Sequence, residues 1–318
     1  MGKLPGAVQG HYSLVLAGTL ALATLASPSP SYGQQIDPNP NGSGNTISVD
    51  APGAFNESEP FDNEGTIAIT PDGILTNLVG TGTCSFGCTL DTHASGQLVN
   101  DGQLLNDGNI FLGDNASFTN NNILVNGDSG SGFGYMFLGN SAIATNSSGA
   151  QLTNAEYASL AISDTVTFNN AGQLDNYGDV ELLEDIGAPV MTNSGTFWNR
   201  TTGTGTAHFS NDATLNNSGT LRNDASSVFD NTGTVNNLAG GVIISDGRIN
   251  NTAYVGTAAL INNAGTFSVS STGSVDRVTA TRPYGKYHQT DGVTTIDGIF
   301  RTTEFTAKWH SSWNFSSI

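Results

Sequence analysis

The chain has 318 residues, a formal net charge of −18 and 9 Lys and Arg, none of them between Lys3 and Arg200. A surface so poor in clustered cations repels nucleic acid and anionic lipid, and the first half lacks the basic residues that usually hold phosphate. Each of the 40 Gly would cost a helix about 1 kcal/mol relative to Ala, which argues against a helical fold.

The N-terminus reads as a secretory signal over residues 1–33. Lys3 is followed by the apolar run Leu14–Leu25, and Ser31-Tyr32-Gly33 places small residues for cleavage before Gln34. The run is too short to span a bilayer, and nothing later is apolar enough to do so. Residues 34–60 are expected to be an extended or capping segment.

Residues 61–300 are dominated by one phrase: Asn, any residue, Gly, polar, apolar, any residue, Asn. Its copies align on Gly65, Gly102, Gly108, Gly172, Gly178, Gly195, Gly219, Gly233, Gly247 and Gly265. The residue after the glycine is always polar and the next always apolar, the alternation of a half-buried strand. Asn stands two residues before nine of these glycines, among them Asn193, Asn217, Asn231 and Asn263. Both flanking types suit turns: Gly takes positive φ freely, and Asn tolerates the left-handed region. At equivalent corners, Asn side chains can stack and hydrogen-bond from coil to coil. Glycine intervals of 14 to 24 residues are expected to mark one coil, and the 6-residue steps two strands within a coil. The expected fold is an all-β parallel β-helix, a β-solenoid with irregular coils.

Cys84 and Cys88 are the two cysteines. In an exported chain so close a pair is expected to form a small disulfide loop. A metal would need more ligands than these two and His93 provide. Asn126–Gly134 is expected to protrude as a Gly/Ser loop. Its Gly127-Asp128-Ser129-Gly130 echoes a serine-protease motif but lacks that family's next glycine and histidine context.

The acidic stretch Asp179–Asp185 reads as a solvated face, and His93, His208 and His288 have no partner recognisable in sequence. No EF-hand loop and no Ca²⁺-binding nonapeptide is present. Thr follows the glycine in five of ten copies, too irregular to match an ice lattice. No catalytic, cofactor or metal residue is assigned.

The phrase Asn-x-Gly-Thr-Leu-x-Asn resembles repeats of filamentous-haemagglutinin-like exoproteins and autotransporter passenger domains, and Tyr287–Gly298 is similar to another passenger repeat. The resemblance covers about residues 60–300. It implies a right-handed β-helix, export to the cell surface of a Gram-negative-type bacterium, and adhesion or biofilm formation through a host or matrix glycan or protein. Passengers of this kind continue into an outer-membrane β-barrel translocator, for which 18 residues after position 300 are too few. Residues 301–318, with Trp309 and Trp313, break the repeat style. They are read as a truncated continuation or an aromatic cap. Contact is expected through outward residues such as Glu181, Trp198, Arg222 and Asn236. The alternative is a β-helix lyase or hydrolase acting on polysaccharide, and a further option is a purely structural matrix component.

Overall fold

The computed structural model describes residues 34–56, 60–78, 89–127, 133–202, 205–253, 259–276, 283–307 and 312–315. The signal segment, Cys84 and Cys88 with their expected disulfide, and the centre of the Gly/Ser loop at 128–132 lie outside these residues.

The described residues contain strands and no helix, and the strands form three parallel sheets of twelve, twelve and eleven members. Each strand pairs with the strand three places on, so one coil contributes one strand to each sheet. This is the β-solenoid expected from the repeat. Along the first sheet a coil takes between 20 and 26 residues. The sheets overrun the expected boundaries of 61 and 300. Thr46–Val49 and Pro52–Asn56 already pair with the next coil, and Glu304–Ala307 and Ser312–Phe315 extend the first two sheets.

Most strands are four residues long and read out, in, out, in. The second residue is the core apolar one of the repeat, as in Leu174, Phe197, Leu221, Val235 and Phe267, all essentially inaccessible. Aromatic rings stack along the interior, with Phe209 between Phe197 and Phe229 at 4.6 Å to each. The fourth residue also points inward, at the corner, and there the interior is amide.

On the first sheet Asn100, Asn120, Asn146, Asn170, Asn193, Asn217, Asn237 and Asn263 form one column. Each Nδ2 donates to the Oδ1 of the next, at 2.7 Å for Asn170 to Asn193 and for Asn193 to Asn217. The same Nδ2 donates to the carbonyl that opens the following strand of the next coil, as Asn193 does to Thr220 at 3.0 Å. A second column runs from Asn56 to Asn223 on the second sheet. A short third column joins Asn211, Asn231 and Asn251. Burying an amide without partners is costly, and the ladder removes that cost at every rung but the first. Asn41, Asn100 and Asn211 begin their columns, and their Oδ1 atoms are the buried ones left without a donor.

The glycines of the repeat are there for a different reason from the one expected. None of the aligned glycines has positive φ, and neither has the Asn two residues before. Their backbone passes against the coil beneath. A Cβ on Gly195 would lie 2.1 Å from the Gly172 carbonyl oxygen, and one on Gly219 would lie 2.1 Å from that of Gly195. Gly172, Gly233 and Gly265 are equally crowded against carbonyls of the preceding coil. Interval length also misled. Gly195 and Gly219 both precede strands of the second sheet and span one coil. Gly219 and Gly233 precede strands of different sheets, so 14 residues span two strands.

Candidate functional site: three chemically distinct outer faces

Parallel, in-register pairing turns every outward strand position into a file of side chains about 4.8 Å apart. The three sheets present files of different chemistry.

The first face is neutral. Nine consecutive strands, from Thr66–Ile69 to Leu260–Asn263, contain no charged residue. One outward file runs Thr119, Thr145, Asn169, Thr192, Asn216, Asn236, Asn262. Its last three members form an outer amide ladder, with Asn236 donating to Asn216 and Asn262 to Asn236 at 2.9 Å each.

The second face carries a cation–aromatic cluster. The Arg200 guanidinium lies 4.2 Å from the centre of the Trp198 ring and 4.8 Å from that of Tyr177, and Arg222 lies 5.1 Å from the same Trp198 ring. Asp175 pairs with Arg200 at 3.0 Å, and Arg222 pairs with Asp224 and Asp246. Burial pushes the Asp175 carboxyl up, opposed by Arg200 and by the Gln173 amide.

The third face is acidic and aromatic. Its central file runs Asp62, Asp91, Phe111, Phe137, Ala161, Glu181, Ser210, Asp230. Phe111 and Phe137 lie 5.9 Å apart, with Tyr135 5.8 Å from Phe111. At the corner beside these rings is a cavity of about 400 Å³ lined by Asp91, His93, Phe111, Asp114, Phe137 and Asn140, among others. Gly113 also lines it, and a Cβ there would meet nothing closer than 3.6 Å. Asp62, Asp91 and His93 place ligand atoms within 4.8 Å of one another. Burial pushes the Asp91 carboxyl up; His93 opposes this, and Asp62 and Asp114 add to it. Glu181 is likewise pushed up by burial and by Asp179, against His208.

The structure therefore distributes the expected contact residues over all three faces. Trp198 and Arg222 are register partners on the second, Asn236 is on the first and Glu181 on the third. The histidines, without partners in the sequence, acquire carboxylates one coil away. His208 meets Asp230 at 2.7 Å and Asp179 at 3.9 Å, His288 meets Glu304 at 3.5 Å, and His93 joins Asp62 and Asp91. The cavity escaped sequence reading because its walls come from successive coils. The one local signal is the recurring corner Leu112-Gly-Asp-Asn-Ala116 and Leu138-Gly-Asn-Ser-Ala142.

No model of a known protein family, no curated protein and no solved structure matches the chain.

Proposed function

We propose that the protein is exported and acts at the cell surface by contact, as an adhesin or a component of an extracellular matrix. The observation that carries this reading is the uncharged first face. In a chain of net charge −18, nine successive strands without one charge mark a surface selected for contact. Depletion of charge, more than hydrophobicity, distinguishes the centre of an interface. The Thr hydroxyls and Asn amides on it repeat at strand spacing and offer many weak hydrogen bonds in series. A polymeric glycan or matrix protein engaging several rungs at once gains avidity without any deep pocket.

The test is binding of the purified chain to immobilised polysaccharides and matrix proteins. Saturable binding that falls at least about ten-fold when Asn169, Asn216 and Asn236 are replaced by Asp supports the reading. Saturable binding that is indifferent to those charges refutes it.

A second reading, a β-helix enzyme cleaving polysaccharide, is favoured by one feature. Asp62 and Asp91 are register neighbours, and Asp91 holds its proton more tightly than an ordinary carboxyl, as a general acid must. Release of reducing ends that disappears in Asp91→Asn would establish it over the contact role.

A further inference from the structure

The cavity on the third face has a composition that names its ligand. Two of its walls are the rings of Phe111 and Phe137, and its polar rim is Asp91, Asp114, His93 and Asn140. No Lys or Arg occurs anywhere between residues 4 and 199. Arg200 follows the strand Thr196–Asn199, four coils beyond Gln103–Asn106, well beyond the Debye length of about 8 Å at physiological salt. The carboxylates of the cavity are thus left without a side-chain counter-charge beside an electron-rich aromatic wall. The volume of about 400 Å³ falls within the roughly 300–1,000 Å³ range of small-molecule sites.

We propose that this cavity binds a quaternary ammonium group, its methyl groups packed on Phe111 and Phe137 and its charge facing Asp91 and Asp114. Aromatic faces attract cations through the ring quadrupole, and a quaternary ammonium gives up its water more easily than a primary one. A bare divalent ion would use Asp62, Asp91 and His93 and leave the aromatic wall idle. Gly113 keeps the space open. Its φ is not in the left-handed region, and a Cβ would find room, so a larger residue fills the cavity without disturbing the corner. The inference is independent of the contact role of the first face.

The experiment is calorimetric titration of the full chain with tetramethylammonium, set against its neutral isostere neopentyl alcohol, lysine amide and Mn²⁺. Saturable tetramethylammonium binding is expected, with none for the alcohol. Asp91→Asn and Phe111→Leu should each weaken it by about 3- to 10-fold. Gly113→Leu should abolish it while leaving the far-ultraviolet circular dichroism unchanged. Equal binding of the alcohol, preference for lysine amide, or retention in Gly113→Leu would overturn the assignment. So would Mn²⁺ binding that is lost in His93→Ala while tetramethylammonium finds no site.

Discussion

Replacing Asn193 by Ala removes one rung from the middle of the longest amide ladder. Asn193 accepts from Asn170 at 2.7 Å, donates to Asn217 at 2.7 Å and donates to the Thr220 carbonyl at 3.0 Å. Each such bond is worth about 1 kcal/mol net, and the Asn217 Oδ1, left without its donor in a dry interior, adds about 1–3 kcal/mol. A loss of about 3–5 kcal/mol follows. Asn193→Leu should cost less, about 2–3 kcal/mol, because apolar contacts offset part of the loss. Leu112, Leu138 and Leu182 already occupy the same strand position in the third sheet. Asn216→Ala, on the outer face, gives up one 2.9 Å bond from Asn236 and should cost at most about 1 kcal/mol. Asn263 provides an internal gradient. Its donations to Gln289 and the Val293 carbonyl stretch to 3.5 and 3.4 Å, so its removal should cost less than that of Asn193. The measurement is urea unfolding followed by far-ultraviolet circular dichroism on all four variants. If Asn193→Ala is no more destabilising than Asn216→Ala, the ladder does not hold the coils together and the energetic account fails.

Gly195→Ala and Gly219→Ala each drive a methyl group into a carbonyl oxygen of the coil below and should destabilise by more than about 3 kcal/mol, the overpacking range. Gly149→Ala, at positive φ with open space around it, should cost only about 1 kcal/mol; thermal unfolding of the three ranks them. The pair of His208 and Asp230 makes stability pH-dependent in a defined direction. The Asp230 hydrogen bond raises His208 above its ordinary 6.5 against burial, with Asp179 and Glu181 also raising it. Burial pushes Asp230 up, but hydrogen bonds from His208 and Asn250 hold it below its ordinary 3.8. The His208 contribution is therefore complete below pH 6.5 and lost as pH rises through the raised value. The Asp230 contribution is present above pH 3.8 and lost as pH falls through the lowered one. His208→Gln should flatten the alkaline decline in the urea midpoint; an unchanged slope would remove the pair from the account.

What could be read in the sequence was whatever repeats at fixed local spacing. Gly-Thr-Leu-x-Asn announces a strand with its second residue buried, and Leu221 and Val235 are buried as that pattern requires. The stacking of Asn from coil to coil was also legible, because identical corners in register leave an inward amide no other partner. Two kinds of feature were not. The first is a corner without the repeat's glycine. After Leu112 and Leu138 the chain turns through Asp114, Asn115, Asn140 and Ser141 at positive φ, so strands such as Tyr135–Leu138 carried no flag. The second is every pairing between coils. Asp62 and His93, or His208 and Asp230, are separated by about one coil, and irregular coil lengths hide which residues coincide. The candidate site is made wholly of such coincidences, whereas each rung of the fold is local.

The alternation that folds the chain also separates stability from recognition. Residues two and four of each strand face inward and are fixed by packing and by the amide ladder. Residues one and three face outward and touch mainly their file neighbours. An outward substitution therefore meets few constraints from the core, and a file can change character within one rung. The third face does so where Asp91 gives way to Phe111, and again where Ala161 gives way to Glu181. The inward column opposite these outward changes stays apolar throughout, from Leu90 through Ile110, Met136 and Leu160 to Val180. A long neutral face can consequently persist beside an acidic, aromatic one in the same coils, because each is written in a separate set of strand positions.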